Sequence, residues 1–195
     1  MTAQPVPQLS FEDWLAIERA AEDQRSEFVA GEVFAMTGAT EQHNLIVANV
    51  VRELGNALKR KPCRVYPSDL KVRIEADNVG TYPDAMVICG ERAFHDNRRD
   101  VVTNPTLIVE VLSESSEAYD RGDKFAHYRT LPSLQAYLLL SQERVQAELF
   151  VRQPDGTWKM LALDDPAERI PLAVFDAELI LGELYDKVEF AARPG

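Results

Sequence analysis

The spacing of apolar residues along the chain predicts helices at the beginning and strands in the middle. Residues 40–59 place their aliphatic side chains on one broad stripe at helical spacing, and Pro62 ends this helix. A first helix is predicted for residues 11–22, because Ser10 is a good N-cap and Asp13 follows three positions later as a weak capping box. Between the two helices, residues 27–36 predict two short strands around a turn at Ala30-Gly31.

Shorter apolar runs after Pro62 predict a sheet. The predicted strands are residues 64–66, 70–74, 82–89, 107–113, 134–140, 145–152 and 158–163. Residues 77–80 predict a turn, residues 117–130 a helix that Pro132 closes, and residues 175–185 a final short helix. The pattern indicates an α/β fold with a central mixed β-sheet flanked by helices, in one domain over residues 1–195.

Two of the central apolar runs carry an acid that needs an explanation. Asp84 stands at the mouth of the run that ends at Cys89. Glu110 stands inside a second run, between Val109 and Val111. A buried carboxylate is costly unless it is paired or bound to a metal, so Glu110 must have a partner.

The two acids predict a metal site if their strands are neighbours. Mg²⁺ prefers oxygen ligands and takes one or two protein carboxylates, so Asp84 and Glu110 are candidate metal ligands, with the main-chain carbonyl of Val111 as a third. Such a metal lowers the pKa of a bound water and stabilises charge on a transferring phosphoryl group. Lys124 supplies a cation that can orient the water or stabilise the same charge.

Each of these residues also has a purely structural interpretation, which the spacing leaves open. Asp84 can be a turn residue after Pro83, and Glu110 can be half of a structural salt bridge. Lys124 can be a solvated helix residue paired with Asp120 at i,i+4.

Composition narrows the class of protein only slightly. The hydrophobic content of 46% is ordinary for a globular protein, and no apolar run is long enough to span a membrane. The net charge of −11 argues against simple polyanion binding without excluding a nuclease whose acids hold metal ions. Without a signal peptide we expect a cytoplasmic location, where Cys63 and Cys89 make no disulfide framework and Cys89 is a small buried residue.

The order of these motifs resembles the PD-(D/E)XK nuclease superfamily, and more narrowly its Uma-type restriction endonucleases. Three motifs carry the resemblance: Tyr82-Pro83-Asp84, Val109-Glu110-Val111-Leu112-Ser113, and Asp120-Arg121-Gly122-Asp123-Lys124-Phe125 with Tyr128. Dispersed matches extend it over nearly the whole chain: Glu27, Gly31-Glu32, Met36-Thr37-Gly38 with His43, Ser68-Asp69, Leu131-Pro132-Ser133-Leu134 and Leu184-Tyr185.

The resemblance implies a restriction-endonuclease-like core and a DNase-like site that uses Mg²⁺ or Mn²⁺. Asp84 and Glu110 would be the metal carboxylates. The superfamily lysine normally follows the acid by two positions, where this chain has Leu112, so Lys124 on the following helix is the candidate. The segment Ser113-Glu114-Ser115-Ser116 also departs from the family pattern, which affects the shape of a loop.

Further catalytic candidates follow from the same resemblance. Glu32 would be an outer metal or water-positioning ligand, or else an exposed hairpin residue. His43 would polarise substrate phosphate or position water, or else cap its helix. Glu27 and Asp69 are secondary candidates without an assigned role, and Asp69 can simply end a turn.

The leading hypothesis is a metal-dependent endonuclease that hydrolyses DNA phosphodiesters through a metal-activated water. The alternatives are a catalytically silent, nuclease-like binding or regulatory module, which the acidic charge favours, and a hydrolase of another phosphoester. By analogy with the superfamily we expect a homodimer, to which strands in residues 134–151 could supply an edge.

Overall fold

The computed structural model describes residues 9–22, 24–36 and 38–190. Thr37, in one of the matched motifs, and the ends of the predicted domain lie outside the described residues. The helices are α1 (Phe11–Ala20), α2 (Glu41–Leu58), α3 (Glu117–Arg121), α4 (Asp123–Tyr128) and α5 (Leu181–Leu184). No helix in these three segments is long and apolar enough to cross a membrane.

The strands form three sheets. They are β1 (Ser26–Val29), β2 (Glu32–Ala35), β3 (Cys63–Pro67), β4 (Lys71–Ile74), β5 (Val79–Thr81), β6 (Ala85–Cys89), β7 (Val101–Val102), β8 (Leu107–Leu112), β9 (Ala136–Ser141), β10 (Ala147–Arg152), β11 (Trp158–Leu163), β12 (Arg169–Leu172) and β13 (Ala177–Ile180). The central six-stranded sheet has the order β11-β10-β9-β8-β6-β3, the five-stranded sheet the order β2-β1-β5-β4-β7, and β12 pairs with β13.

The central sheet is mixed, as the sequence predicts. β8 and β9 run parallel, whereas β8 and β6, β6 and β3, and the strands from β9 to β11 pair antiparallel. Its middle strand, β8, is buried at every position, which explains the continuous apolar run in the sequence. With helices on both faces, this is the α/β architecture expected from the chain.

Successive residues of β8 point to opposite faces of the central sheet and enter two separate cores. Val109 belongs to a cluster on the face that α2 covers, where Ile46 and Val50 also lie. Ile108 belongs to a second cluster between the central and five-stranded sheets, together with Phe125 of α4. Glu110 lies two positions after Ile108 and therefore points to the same face of the strand, so its carboxylate enters the space between the two sheets.

The five-stranded sheet is closed on its outer side by α1. Ser10 caps this helix by accepting from the Asp13 N–H at 3.1 Å, as predicted. Trp14 then stacks on Phe28 of β1, with ring centroids 5.7 Å apart. The predicted boundaries of α1 and α2 differ from the observed ones by only one or two residues, and the β1–β2 hairpin is confirmed.

Three elements of the prediction differ from the structure over part or all of their length. The helix predicted over residues 117–130 is two short helices that break at Gly122, whose φ of −102° and ψ of −101° leave the helical region. The final helix predicted over residues 175–185 is replaced by β13 and the short α5, because β13 pairs with β12, a strand that the prediction omits. The turn predicted at residues 77–80 runs into β5, which pairs with β1 and β4.

The two cysteines form a disulfide bond, which corrects the expectation that they do not pair. Cys63 and Cys89 lie directly opposite each other in β3 and β6, and their Cα atoms are 4.0 Å apart. Cys89 is half-buried, so it is more than a small core residue. The pairing depends on a strand register that the sequence does not reveal.

Candidate active site

Asp84 and Glu110 meet at one end of the central sheet because β6 and β8 are neighbours. Ala85 pairs with Val109 across these strands, which places the preceding Asp84 beside Glu110. The Asp84 N–H points to Oε2 of Glu110 at 3.4 Å, and the Val111 N–H donates to Oδ2 of Asp84 at 2.7 Å. The structure therefore brings together all three residues predicted to hold a metal.

Glu110 is buried and engaged by two side chains from α4. Only 3% of the residue is exposed. The Tyr128 hydroxyl donates to its Oε1 at 2.8 Å, and Nζ of Lys124 lies 3.0 Å from the same oxygen. The sequence thus places Glu110 correctly as a buried acid in need of a partner, and Lys124 is that partner.

Lys124 is surrounded by carboxylates, of which the spacing in the sequence indicates only Asp120 as a partner. Besides Glu110, its Nζ lies 3.1 Å from Oε1 of Glu27 in β1 and 3.5 Å from Oδ1 of Asp120 in α3. The Thr81 hydroxyl of β5 donates to Glu27. Lys124 is itself 7% exposed, so the solvated-surface interpretation of this residue is excluded.

Several carboxylates around one ammonium group shift the pKa values of this cluster. Burial raises the pKa of Glu110 well above its usual range, Lys124 opposes the shift, and the neighbouring acids add to it. Burial also raises the pKa of Asp120, again against the effect of Lys124. For Lys124 burial acts to lower the pKa, but Glu110 and the other nearby groups outweigh it and hold the amine in its charged form.

His43 connects the first turn of α2 to the acid pair. Its backbone N–H donates to the Thr40 hydroxyl at 3.1 Å, which caps the helix, while its ring Nε2 lies 3.1 Å from Oδ1 of Asp84. Burial acts to lower the pKa of His43, but the hydrogen bond to Asp84 and the nearby negative charges raise it overall. His43 therefore combines the capping position with a contact to the site.

The remaining candidates lie outside this cluster. Glu32 is exposed on β2, where its backbone pairs with Val29, and its side chain forms no hydrogen bond or ion pair with any described residue. Asp69 is also exposed and pairs with Arg25 at 2.5 Å. Glu27, a candidate without an assigned role, joins the site, and Thr81 is missed because the sequence gives no signal for β5.

The residues present fit a divalent metal by their donor chemistry. Asp84 and Glu110 offer carboxylate oxygens and Val111 a carbonyl oxygen, which are ligands that Mg²⁺ accepts together with water. In the described segments no group of three or more His, Cys, Asp or Glu side chains is arranged to hold a metal ion. The donor set thus corresponds to a metal with few protein ligands, not to an all-protein cage.

The architecture is shared with a protein whose crystal structure is known. A crystal structure of a protein from Anabaena variabilis, described as a putative nuclease belonging to DUF820, superposes with a TM-score of 0.75. The match covers 91% of this chain and 98% of that one at 16% sequence identity, so it shows the shared fold alone.

Residues 11–182 match the family model Uma2, described as "Putative restriction endonuclease", and the chain belongs to this family. Two Synechocystis proteins are also similar. The uncharacterized protein sll1609 is 37% identical over 155 residues, which is 80% of this chain and 87% of that protein. The uncharacterized protein slr1290 is 38% identical over 157 residues, which is 80% of this chain and 81% of that protein.

Proposed function

We propose that the protein is a metal-dependent DNA endonuclease that hydrolyses phosphodiester bonds with a metal-activated water. One observation carries the proposal. Glu110, a carboxylate inside a fully buried strand, lies beside Asp84 of the next strand and 3.0 Å from the Lys124 amine. An acid pair can hold a metal ion that activates water, and a nearby lysine can stabilise the charge that develops on the phosphoryl group.

Each residue has a defined role in this proposal. Asp84, Glu110 and the carbonyl of Val111 would hold Mg²⁺ or Mn²⁺, which when bound lowers the pKa of a water and stabilises phosphoryl charge. Lys124 fixes Glu110 and places a positive charge beside it. His43 hydrogen-bonds Asp84 and so fixes the orientation of that carboxylate. Glu32 belongs to the hairpin that carries Glu27, and its catalytic role stays a prediction.

Cleavage of DNA by matched variants tests the proposal. We expect the wild type to nick or linearise plasmid DNA only when Mg²⁺ or Mn²⁺ is added. Asp84→Asn and Glu110→Gln should each lower the rate by at least about 100-fold, since both remove charge at the proposed metal site. Glu178→Gln is the matched control, because this exposed acid lies on β13 in the separate two-stranded sheet and its loss should leave the rate unchanged.

Metal binding provides a second measurement on the same variants. Calorimetric titration of Mn²⁺ in the presence of DNA should show binding to the wild type that Glu110→Gln weakens. Circular dichroism establishes that each variant is folded before its rate is compared. Folded Asp84→Asn and Glu110→Gln proteins that cleave at the wild-type rate would contradict the proposed roles.

The second candidate function is a nuclease-like binding module without turnover. The observation that favours it is the engagement of Glu110 Oε1 by both Tyr128 and Lys124, which leaves that oxygen internally satisfied. This candidate predicts DNA binding that is independent of divalent metal and no cleavage by the wild type. The plasmid assay described above therefore separates the two functions.

A further inference from the structure

A surface groove lies along the edge strand β3. Several arginine side chains line it, although the protein as a whole is acidic. Two adjoining cavities of about 600 and 540 Å³ form it, and both are lined by Arg92, Phe94 and Arg99 from the loop between β6 and β7. Arg64 of β3 lines the first cavity, and Tyr66 of the same strand lines the second. The chain carries a net charge of −11, so a surface rich in arginine requires a reason.

The guanidinium groups of Arg64, Arg92 and Arg99 form no ion pair or hydrogen bond with any described residue. Several arginines elsewhere are matched to acids: Arg19 pairs with Asp96 and Asp100, Arg121 with Glu117 and Glu148, Arg25 with Asp69, and Arg169 with Glu178. Three acids also line the two cavities. Asp96 is paired with Arg19 at 2.8 Å, Asp69 is paired with Arg25 at 2.5 Å, and Glu91 forms no ion pair with any described residue. None of the three is paired with Arg64, Arg92 or Arg99, so these guanidinium groups are available to a ligand.

Phe94 holds two of these arginines in place. The guanidinium carbon of Arg99 lies 4.7 Å from the Phe94 ring centroid, and that of Arg92 lies 6.0 Å from it. Phe94 in turn forms a β-bridge with Val102. Because the aromatic ring and its strand contact restrict both side chains, binding a ligand orders them at a lower entropic cost.

The loop that carries the arginines is fixed to the fold by hydrogen bonds. Asn104 accepts from the Ala93 N–H and donates to the Glu91 carbonyl, each at 2.8 Å. The His95 N–H donates to the Val101 carbonyl at 3.0 Å. These bonds hold the backbone that carries Arg92 and Arg99 in a fixed position on the fold.

The groove leads away from the acid pair along the edge of the central sheet. Pro67 of β3 pairs with Ala85, the residue after Asp84, and Arg64 pairs with Ile88 farther along β6. The step from Asp84 to Ile88 corresponds to roughly 13 Å at about 3.3 Å per strand residue. A strand of duplex DNA covers that distance in about four nucleotides, at about 3.4 Å per nucleotide.

We propose that Arg64, Arg92 and Arg99 form a binding surface for the phosphates of a DNA strand, a few nucleotides from the bond that is cleaved. The proposal rests on the nuclease function proposed above. Arginine suits phosphate because its planar guanidinium donates two parallel hydrogen bonds. The unpaired arginines would therefore give this acidic protein a local positive surface that can bind a polyanionic substrate.

The salt dependence of DNA binding tests this surface. Fluorescence anisotropy of a labelled duplex is measured in EDTA, which prevents metal-dependent cleavage, between about 50 and 200 mM salt. The slope of the logarithm of the binding constant against the logarithm of salt concentration should fall in magnitude by about 0.9 for each phosphate contact removed. We expect this fall for Arg64→Ala, Arg92→Ala and Arg99→Ala, and the largest fall for the triple variant.

Two variants separate the surface from a general charge effect. Arg169→Ala removes the same charge from the β12–β13 hairpin, which does not line the groove and where Arg169 pairs with Glu178, and it should keep the wild-type slope. Arg64→Lys keeps the charge and should retain most of the slope while losing the paired hydrogen bonds. A triple variant that is folded and binds with the wild-type slope and affinity would overturn the proposal.

The binding experiment tests the arginine surface whether or not the protein cleaves DNA. If the arginine variants lose binding while wild-type protein cleaves nothing with metal, the surface stands and the nuclease function fails. If wild-type protein cleaves but its variants bind and cleave equally well, the nuclease function stands and the surface fails. A 5′-mononucleotide that displaces the duplex at equal phosphate concentration would show a nucleotide pocket and would overturn a surface for a strand.

Discussion

Glu110 shows how a single buried acid is accommodated in an apolar strand. An isolated carboxylate in such a place costs several kcal/mol, because it loses its water without gaining a partner. Here the carboxylate gains the Lys124 amine and the Tyr128 hydroxyl, at 3.0 and 2.8 Å. The same contacts that make its burial tolerable also hold it at a fixed position beside Asp84.

Among the described residues, Lys124 alone contacts Glu27, Glu110 and Asp120 together, so its removal has a large predicted effect on stability. We expect Lys124→Met to lower the free energy of unfolding by about 3–5 kcal/mol, because Glu27, Glu110 and Asp120 lose their shared cation. Urea unfolding at neutral pH measures this change.

A matched lysine controls for the loss of charge. Lys159 is exposed on β11, and Lys159→Met should change the free energy of unfolding by less than about 0.5 kcal/mol. Equal stability of the two variants would show that the ion pairs around Lys124 contribute nothing beyond the buried methylene groups of that side chain.

At the residue scale the sequence predicted the acid pair, Lys124 and His43 as candidates, but only part of the surroundings of these residues. Asp84 and Glu110 were identifiable because an acid beside or inside an apolar run violates the pattern of a buried strand. Glu27 and Thr81 carry no comparable signal, since a polar residue in a short strand usually faces water. Their contact with Lys124 or with each other depends on a second sheet whose position the local sequence does not encode.

At the element scale, the contact of α1 with β5 determines how the five-stranded sheet is closed. Gly80 lies beneath the aromatic residues of α1, and a Cβ atom there would lie 2.8 Å from Cε2 of Phe11 and closer still to the Trp14 ring. Phe28, which follows Glu27 in β1, pairs directly with Gly80. The packing of α1 therefore also positions one of the acids around Lys124.

We expect Gly80→Ala to lower the free energy of unfolding by about 1–3 kcal/mol, because the aromatic rings must move to admit a methyl group. Gly55→Ala is the matched control. Gly55 lies in α2 with nothing within 4 Å of an added Cβ, so alanine there should stabilise the protein by about 0.5–1 kcal/mol. Chemical unfolding of both variants measures the difference, and a stabilised Gly80→Ala protein would refute the close approach of α1.

A helix or strand was predicted accurately when the contacts that determine it lie within its own segment, and wrongly when they come from another part of the chain. The helix α2 was predicted within about one residue at each end, because its apolar stripe and its Thr40 cap lie within the segment itself. The segment 175–185 was predicted wrongly because β13 exists only through its pairing with β12. The disulfide between Cys63 and Cys89 depends likewise on a register between two strands, which spacing alone does not give.

At the scale of the whole molecule, the arrangement of strands corrects the expected dimer edge. The strands within residues 134–151 are internal, since β9 lies between β8 and β10, and β10 lies between β9 and β11. The edge strands are instead β11 and β3 in the central sheet, and β2 and β7 in the five-stranded sheet, where β7 is buried. The groove lined by Arg64, which we propose binds DNA, runs along β3. β11 is then the edge of the central sheet that is available to a second copy of the chain.

The homodimer stays a prediction, and β11 is the edge through which we expect it to form. Met160 and Leu161 expose 52% and 39% of their surface there, and an unpaired strand edge with apolar side chains favours association. Met160→Lys should therefore shift the protein toward monomer in sedimentation velocity across a range of concentrations. Phe34→Lys is the matched control, because Phe34 is 51% exposed on β2, the edge of the other sheet. A wild type that is monomeric throughout that range would refute the dimer, whereas dissociation by Phe34→Lys alone would move the interface to β2, next to the strand that carries Glu27.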